Sequence, residues 1–155
     1  MKKIIMALVI IFIVSVVFTS MHCARMAGKG WEKTVTLPSG KVILDMSGEW
    51  DALIELLERY KWTGLKPEQN ILLITQEGTT FSAVAQIEAE RIPKGTEKLK
   101  GVLDKDGFKE VQLYAYRPHD TPQFTWVPVT WEISENGNKI VFVYEDAFKW
   151  TLTRR

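Results

Sequence analysis

The sequence predicts an all-β domain: an eight-stranded antiparallel up-and-down barrel, with a β-sandwich as the alternative, behind an N-terminal signal or anchor segment. Three observations carry this. Apolar residues recur at period two in a series of short runs. Turn signals built on Gly, Asn, Asp and Pro separate these runs. No helical pattern of about 10–15 residues lies between strands, which argues against βαβ units and a parallel sheet. The 155 residues suit one domain, with 46% apolar and 25% charged residues, an ordinary globular mix. The formal net charge is +1, with no cluster of excess Lys and Arg of the kind that grips phosphate backbones, so nucleic acid is not an expected partner.

Residues 1–23 read as a segment apart. Lys2 and Lys3 precede an uncharged apolar run over 4–18 and a polar end over 19–23. These are the parts of a secretory signal. The lysines stay cytoplasmic while the apolar run enters the bilayer. The uncharged stretch 4–21 is 18 residues, the lower edge of a membrane span, so an uncleaved anchor is a second reading. The third rests on Cys23, the single cysteine. Its place just after the apolar run resembles a bacterial lipoprotein signal, in which the cysteine is lipidated and becomes the new N-terminus. Each reading exports the chain from about residue 24 onward, to the periplasmic or outer face of a membrane. Without Lys2 and Lys3 the remainder carries 18 basic against 19 acidic residues.

Residues 24–40 hold Gly28, Gly30, Pro38 and Gly40 and read as a linker, with a short extended piece over 31–37. The barrel domain is placed at 41–155, led in by KVILD over 41–45. The first strand spans 48–57, with Trp50, Ala52, Ile54 and Leu56 on one face; a helical stripe of Leu53, Ile54, Leu56 and Leu57 competes with it. Strands follow over 70–76, 80–88, 98–104 and 110–116, punctuated by Glu77-Gly78, Pro93-Lys94-Gly95 and Asp106-Gly107. The run 128–134 ends at Asn136-Gly137, the strongest hairpin signal in the chain. Strands over 139–145 and 148–154 complete the set, and Phe148, Trp150 and Leu152 share a face. Two longer interruptions remain, 58–69 and 117–127, and the first is placed across one barrel mouth. Eight antiparallel strands in series close on themselves and so remove exposed sheet edges. Such a barrel is just wide enough to be filled by side chains or to hold one small ligand.

The run LDMSGEWDA over 44–52 contains Gly48-Glu49-Trp50, a G-x-W at the start of the first strand, and the chain ends TLTRR, with Arg154 on the last strand. Together with ITQEGTTF over 74–81, Lys100-Gly101, Asp106-Gly107 and Asn136-Gly137, these place residues 44–155 in an order that resembles small bacterial lipocalin-like exported proteins. The resemblance implies a calycin-type barrel whose base is built from Gly48, Trp50 and Arg154, the cation lying over the indole. Such a contact contributes about 0.5–2 kcal/mol, depending on burial. It also implies binding of a small apolar molecule or lipid by burial against apolar walls, with a few polar groups setting orientation. No cofactor or metal is called for.

The candidate ligand-binding residues are Trp62, Tyr114, Tyr116 and Trp131. Trp62 and Trp126 fall in the two long interruptions, where aromatics either line an apolar site or pack the loops onto the barrel. Tyr114 and Tyr116 share a strand face with Gln112, opposite Val111, Leu113 and Ala115, and the pattern leaves open which face is inside. No catalytic motif is found, and an enzyme is not expected. His119-Asp120 is the one His–acid pair, and no Ser has the glycine setting of a nucleophile elbow. Asp104-Lys105-Asp106-Gly107 reads as a hairpin turn, since it lacks the ligand positions of a calcium loop. Lys94, Lys98 and Lys100, interspersed with Glu90, Glu97 and Asp104, read as a solvated edge that discourages strand addition. The alternative function is an envelope interaction protein with a side-chain-filled barrel, whose loops 58–69 and 117–127 meet a protein partner.

Overall fold

The computed structural model describes residues 30–90, 92–117 and 122–155. The signal segment with Cys23 and the His119-Asp120 pair lie outside the described residues. Two short strands, β1 (Thr34–Thr36) and β2 (Val42–Leu44), form an antiparallel hairpin. The stretch read as linker therefore carries one arm of this hairpin. The main sheet contains β3 (Gly48–Leu56), β4 (Glu68–Glu77), β5 (Thr80–Ala85), β6 (Glu97–Asp104), β7 (Gly107–Tyr116), β8 (Phe124–Pro128), β9 (Thr130–Ser134), β10 (Lys139–Tyr144) and β11 (Phe148–Arg154). Its order is β8-β7-β6-β5-β4-β3-β11-β10-β9, so chain neighbours pair throughout and the first strand of the sheet also meets the last. That joint runs antiparallel from Phe148 opposite Leu56 to Arg154 opposite Trp50.

β3 is a strand and not a helix because its burial alternates. Trp50, Ala52 and Ile54 are buried while Glu49 and Asp51 are exposed, and a helix would have brought these acids against the core. The sheet has nine strands, one more than the pattern predicts. Residues 124–128 pair with β7, and the predicted run 128–134 breaks at Val129, after which the chain pairs with β10. Pro128 has no N–H to continue a ladder. Val129 still donates to the Val111 carbonyl (3.3 Å) before the chain changes partner. β8 and β9 are thus two halves of one extended segment, bonded to opposite edges of the same sheet. That segment joins the two edges and produces a nearly closed antiparallel barrel.

The two ends of the barrel differ. At the base, rings fill the interior: Phe108 packs against Phe81 (5.3 Å between centroids) and Phe142 (5.3 Å), and Trp50 is fully buried. Ile43, Leu44 and Met46 are also fully buried, so the segment after β1 plugs this end. Three side chains satisfy the plug's backbone. Trp50 Nε1 donates to the Met46 carbonyl (2.8 Å). Gln76 accepts from Met46 N (2.7 Å) and donates to the Leu44 carbonyl (3.2 Å). Arg154 donates to the carbonyls of Asp45 and Ser47, and its guanidinium carbon lies 4.3 Å from the Trp50 ring centroid. Gly48, which starts β3 from this plug, has φ +112°, a conformation that side-chain-bearing residues rarely adopt.

Trp50→Ala removes a buried ring together with a hydrogen bond and a cation–π contact. The expected loss is about 3–5 kcal/mol in denaturant unfolding. A loss below about 1 kcal/mol contradicts the ring's role at the base.

Candidate functional site

The opposite end of the barrel is the open one. Leu57 and Arg59 donate backbone N–H groups to the carbonyls of Ala147 and Asp146 (2.8 and 3.0 Å), which pins a 310 helix, Glu58–Thr63, beside the turn between β10 and β11. Arg59 adds ion pairs to Glu145 and Asp146. Tyr60 packs on Phe148 with centroids 5.2 Å apart. Gly64 ends the helix in the left-handed conformation. The consequence is that Trp62 stands out from the mouth with 73% of its surface exposed.

Below it lies a cavity of about 540 Å3. Ile54, Leu56, Leu113, Ala115 and Trp150 form its walls, and Trp62, Leu65, Tyr116 and Phe124 stand around its opening. A volume in this range suits a small molecule, and the lining is mainly apolar, as ligand sites are. Val111, Leu113 and Ala115 are the inward residues of β7. Tyr114 and Tyr116 occupy the other face, packed against Phe124 and Trp126 (5.1–5.8 Å between centroids), and reach the cavity at its rim. Trp62, Tyr114 and Tyr116 therefore converge on one opening.

Trp131 does not join them. It sits on β9 in the base half, edge-on to Phe108 (5.4 Å), and borders a separate groove of about 280 Å3 with Trp31 and Ile133. The cause is the change of partner at Val129: residues before it stay at the mouth, and residues after it run down to the base. Gly107 packs under this indole, and an added Cβ there would lie 2.8 Å from the ring.

The residue that the sequence pattern hides is Lys98. Simple alternation places it outward with Lys100, opposite Leu99. The pairing of β5 with β6 shifts here: Ala83 faces Leu99, but Val84 faces Glu97, so Lys98 is the extra residue of a β-bulge. Lys98 and Leu99 are both buried, Lys98 to 4% exposure. The solvated-edge reading holds for Lys94, which is exposed. It fails for Lys98 because the bulge turns that side chain inward. Lys100 stays outside, with Nζ 4.0 Å from the Trp126 ring centroid.

Lys98 Nζ donates to the Tyr114 carbonyl (2.6 Å) and lies 5.4 and 5.7 Å from the ring centroids of Tyr114 and Trp150. Burial pushes its pKa down to about 8, and Glu68 opposes that shift from a distance. Among the described residues no cluster of three His, Cys, Asp or Glu could hold a metal.

No family model, curated protein or solved structure matches this chain.

The cup combines an apolar hollow with one buried ammonium. Because the folded pKa of Lys98 lies below its ordinary 10.5, the unfolded chain binds more protons between about pH 8 and 10.5. Stability attributable to this residue is depressed below pH 8 and recovers as pH rises through that window. Relative to Lys98→Met, the wild-type chain is expected to gain on the order of 2 kcal/mol between pH 7 and 10. Parallel unfolding curves for the two proteins across that range contradict the buried placement.

Proposed function

We propose that this chain is an extracytoplasmic, lipocalin-like binding protein. It holds a small apolar or amphipathic molecule in the mouth of its barrel and is tethered to a bacterial membrane by a lipid on Cys23. The observation that carries the ligand reading is the asymmetry of the barrel. One end is plugged and filled with rings, while the other keeps a cavity of about 540 Å3 under four exposed apolar residues. Trp62, Leu65, Tyr116 and Phe124 are each at least 40% exposed and border the same opening. Large apolar groups gathered around one concavity are the usual mark of a binding surface. The lipocalin-like reading is supported by the G-x-W at 48–50 and by Arg154 over Trp50. The export reading is supported by the basic, apolar and polar parts of residues 1–23. Nothing in the proposal requires catalysis, a cofactor or nucleic acid.

The packed base favours a second reading for half of the molecule: a filled barrel whose exposed aromatics meet a protein partner. Mass spectrometry of the protein recovered from bacterial envelopes separates the two. The expected denatured mass is that of a chain beginning at acylated Cys23. The expected native mass carries a further small molecule that leaves on denaturation. An apo native mass, with no change in Trp emission on adding dodecanol, supports the filled barrel instead. A chain that keeps Met1, or whose Cys23 is unmodified, overturns the tether.

A further inference from the structure

We infer that the cup takes a single-chain anionic amphiphile head first, its carboxylate drawn down to Lys98 and its alkyl tail running out past Trp62 and Phe124. This rests on the reading of the mouth as a ligand site and adds the chemical class and the orientation of the ligand.

A β-bulge re-aims one side chain at the cost of a ladder position. Here it turns a lysine into an apolar cavity where simple alternation would have left it in water. A buried charge costs more than an apolar residue of the same volume unless it is well paired. Stability alone therefore favours Met or Leu at this site.

An ammonium has three donors. Among the described residues, the hydrogen bond of Lys98 goes to the Tyr114 carbonyl, and no carboxylate is within ion-pair distance. Two donors are left for a group entering the cavity that Lys98 lines. A carboxylate matches them, and charge-assisted hydrogen bonds of this kind are about twice as strong as neutral ones.

Glu68 on β4 is half-buried and acts on Lys98 from beyond ion-pair range. Glu90, on the connection from β5 to β6, is exposed, so water screens it. Among the described residues, the other titratable groups lining the cup are the phenols of Tyr60, Tyr114 and Tyr116. Lys98 is therefore the buried charge of the cup, and the carboxylates of Glu68 and Glu90 are more exposed to water. A cationic head would have to lie against Lys98, and a neutral head would forgo the charge-assisted bond. The exposed aromatics at the opening suit an emerging alkyl chain.

The test compares dodecanoate, dodecanol and dodecyltrimethylammonium, each below its micelle concentration, by Trp emission of the full chain at pH 7. The expected order of affinity is carboxylate, alcohol, ammonium, with the carboxylate at least about tenfold tighter than the alcohol. Lys98→Met is expected to erase that preference while alcohol binding persists, which also reports an intact fold. If Lys98→Met does not fold, Lys98→Arg is measured, and it is expected to keep the preference. Equal wild-type affinity for carboxylate and alcohol overturns the proposal and leaves the cup standing, as does a preference that survives in Lys98→Met. Failure of all three amphiphiles to bind overturns the cup itself.

Discussion

The architecture depends on how residues 44–47 are held across the base of the barrel. A chain segment that crosses a barrel end buries its backbone, and buried N–H and C=O groups must be paired. The β1–β2 pairing reaches only Leu44 and the bond from Asp45 N–H to the Lys33 carbonyl (3.1 Å), so the other groups need partners elsewhere. Trp50, Gln76 and Arg154 supply the pairing from β3, β4 and β11. Their bonds let Leu44 and Met46 enter the interior with no exposed surface. The same contacts tie the first and last strands of the sheet together, because Arg154 faces Trp50 across their joint. Burial pulls the Arg154 pKa down while Asp45 and Glu32 pull it up. The guanidinium remains charged, as arginine does in proteins.

Once the base is plugged, the barrel can leave its other end open. Packing at the base is supplied by rings and branched side chains. The mouth is walled in part by the small side chain of Ala115 and keeps an apolar hollow. The segment from Phe124 to Ser134 links the two halves. Its first part stays at the mouth against β7, and its second part descends along β10. One segment therefore closes the barrel and also divides the aromatics between the open rim and the packed base. This division is why Phe124 borders the cup while Trp131 packs on Phe108.

Much of this was legible in the sequence, and the exceptions have physical causes. Period-two alternation located most of the main sheet, because in a barrel one strand face is always inside and a slip would reverse every residue. The G-x-W and the terminal Arg marked the base, but Gln76 left no such mark, since a Gln at a strand end reads as surface. The pattern in 128–134 runs through Val129, Trp131 and Ile133 without a break, so a change of strand partner could not be seen. Lys98 was hidden for a related reason. A bulge shifts the phase by one residue and turns an apparent surface lysine inward. Trp62, Tyr114 and Tyr116 border one opening, a convergence that the pattern left open because it fixed neither the packing of the mouth loop nor the inward face of β7.

The proposed placement puts a ligand in the mouth with its head group at Lys98. A crystal structure with 12-bromododecanoate tests this placement, because anomalous scattering locates the bromine without reference to the density of the chain. The bromine is expected at the opening, among Trp62, Tyr116 and Phe124. A bromine at the cup floor beside Trp150, or in the groove at Trp131, contradicts it.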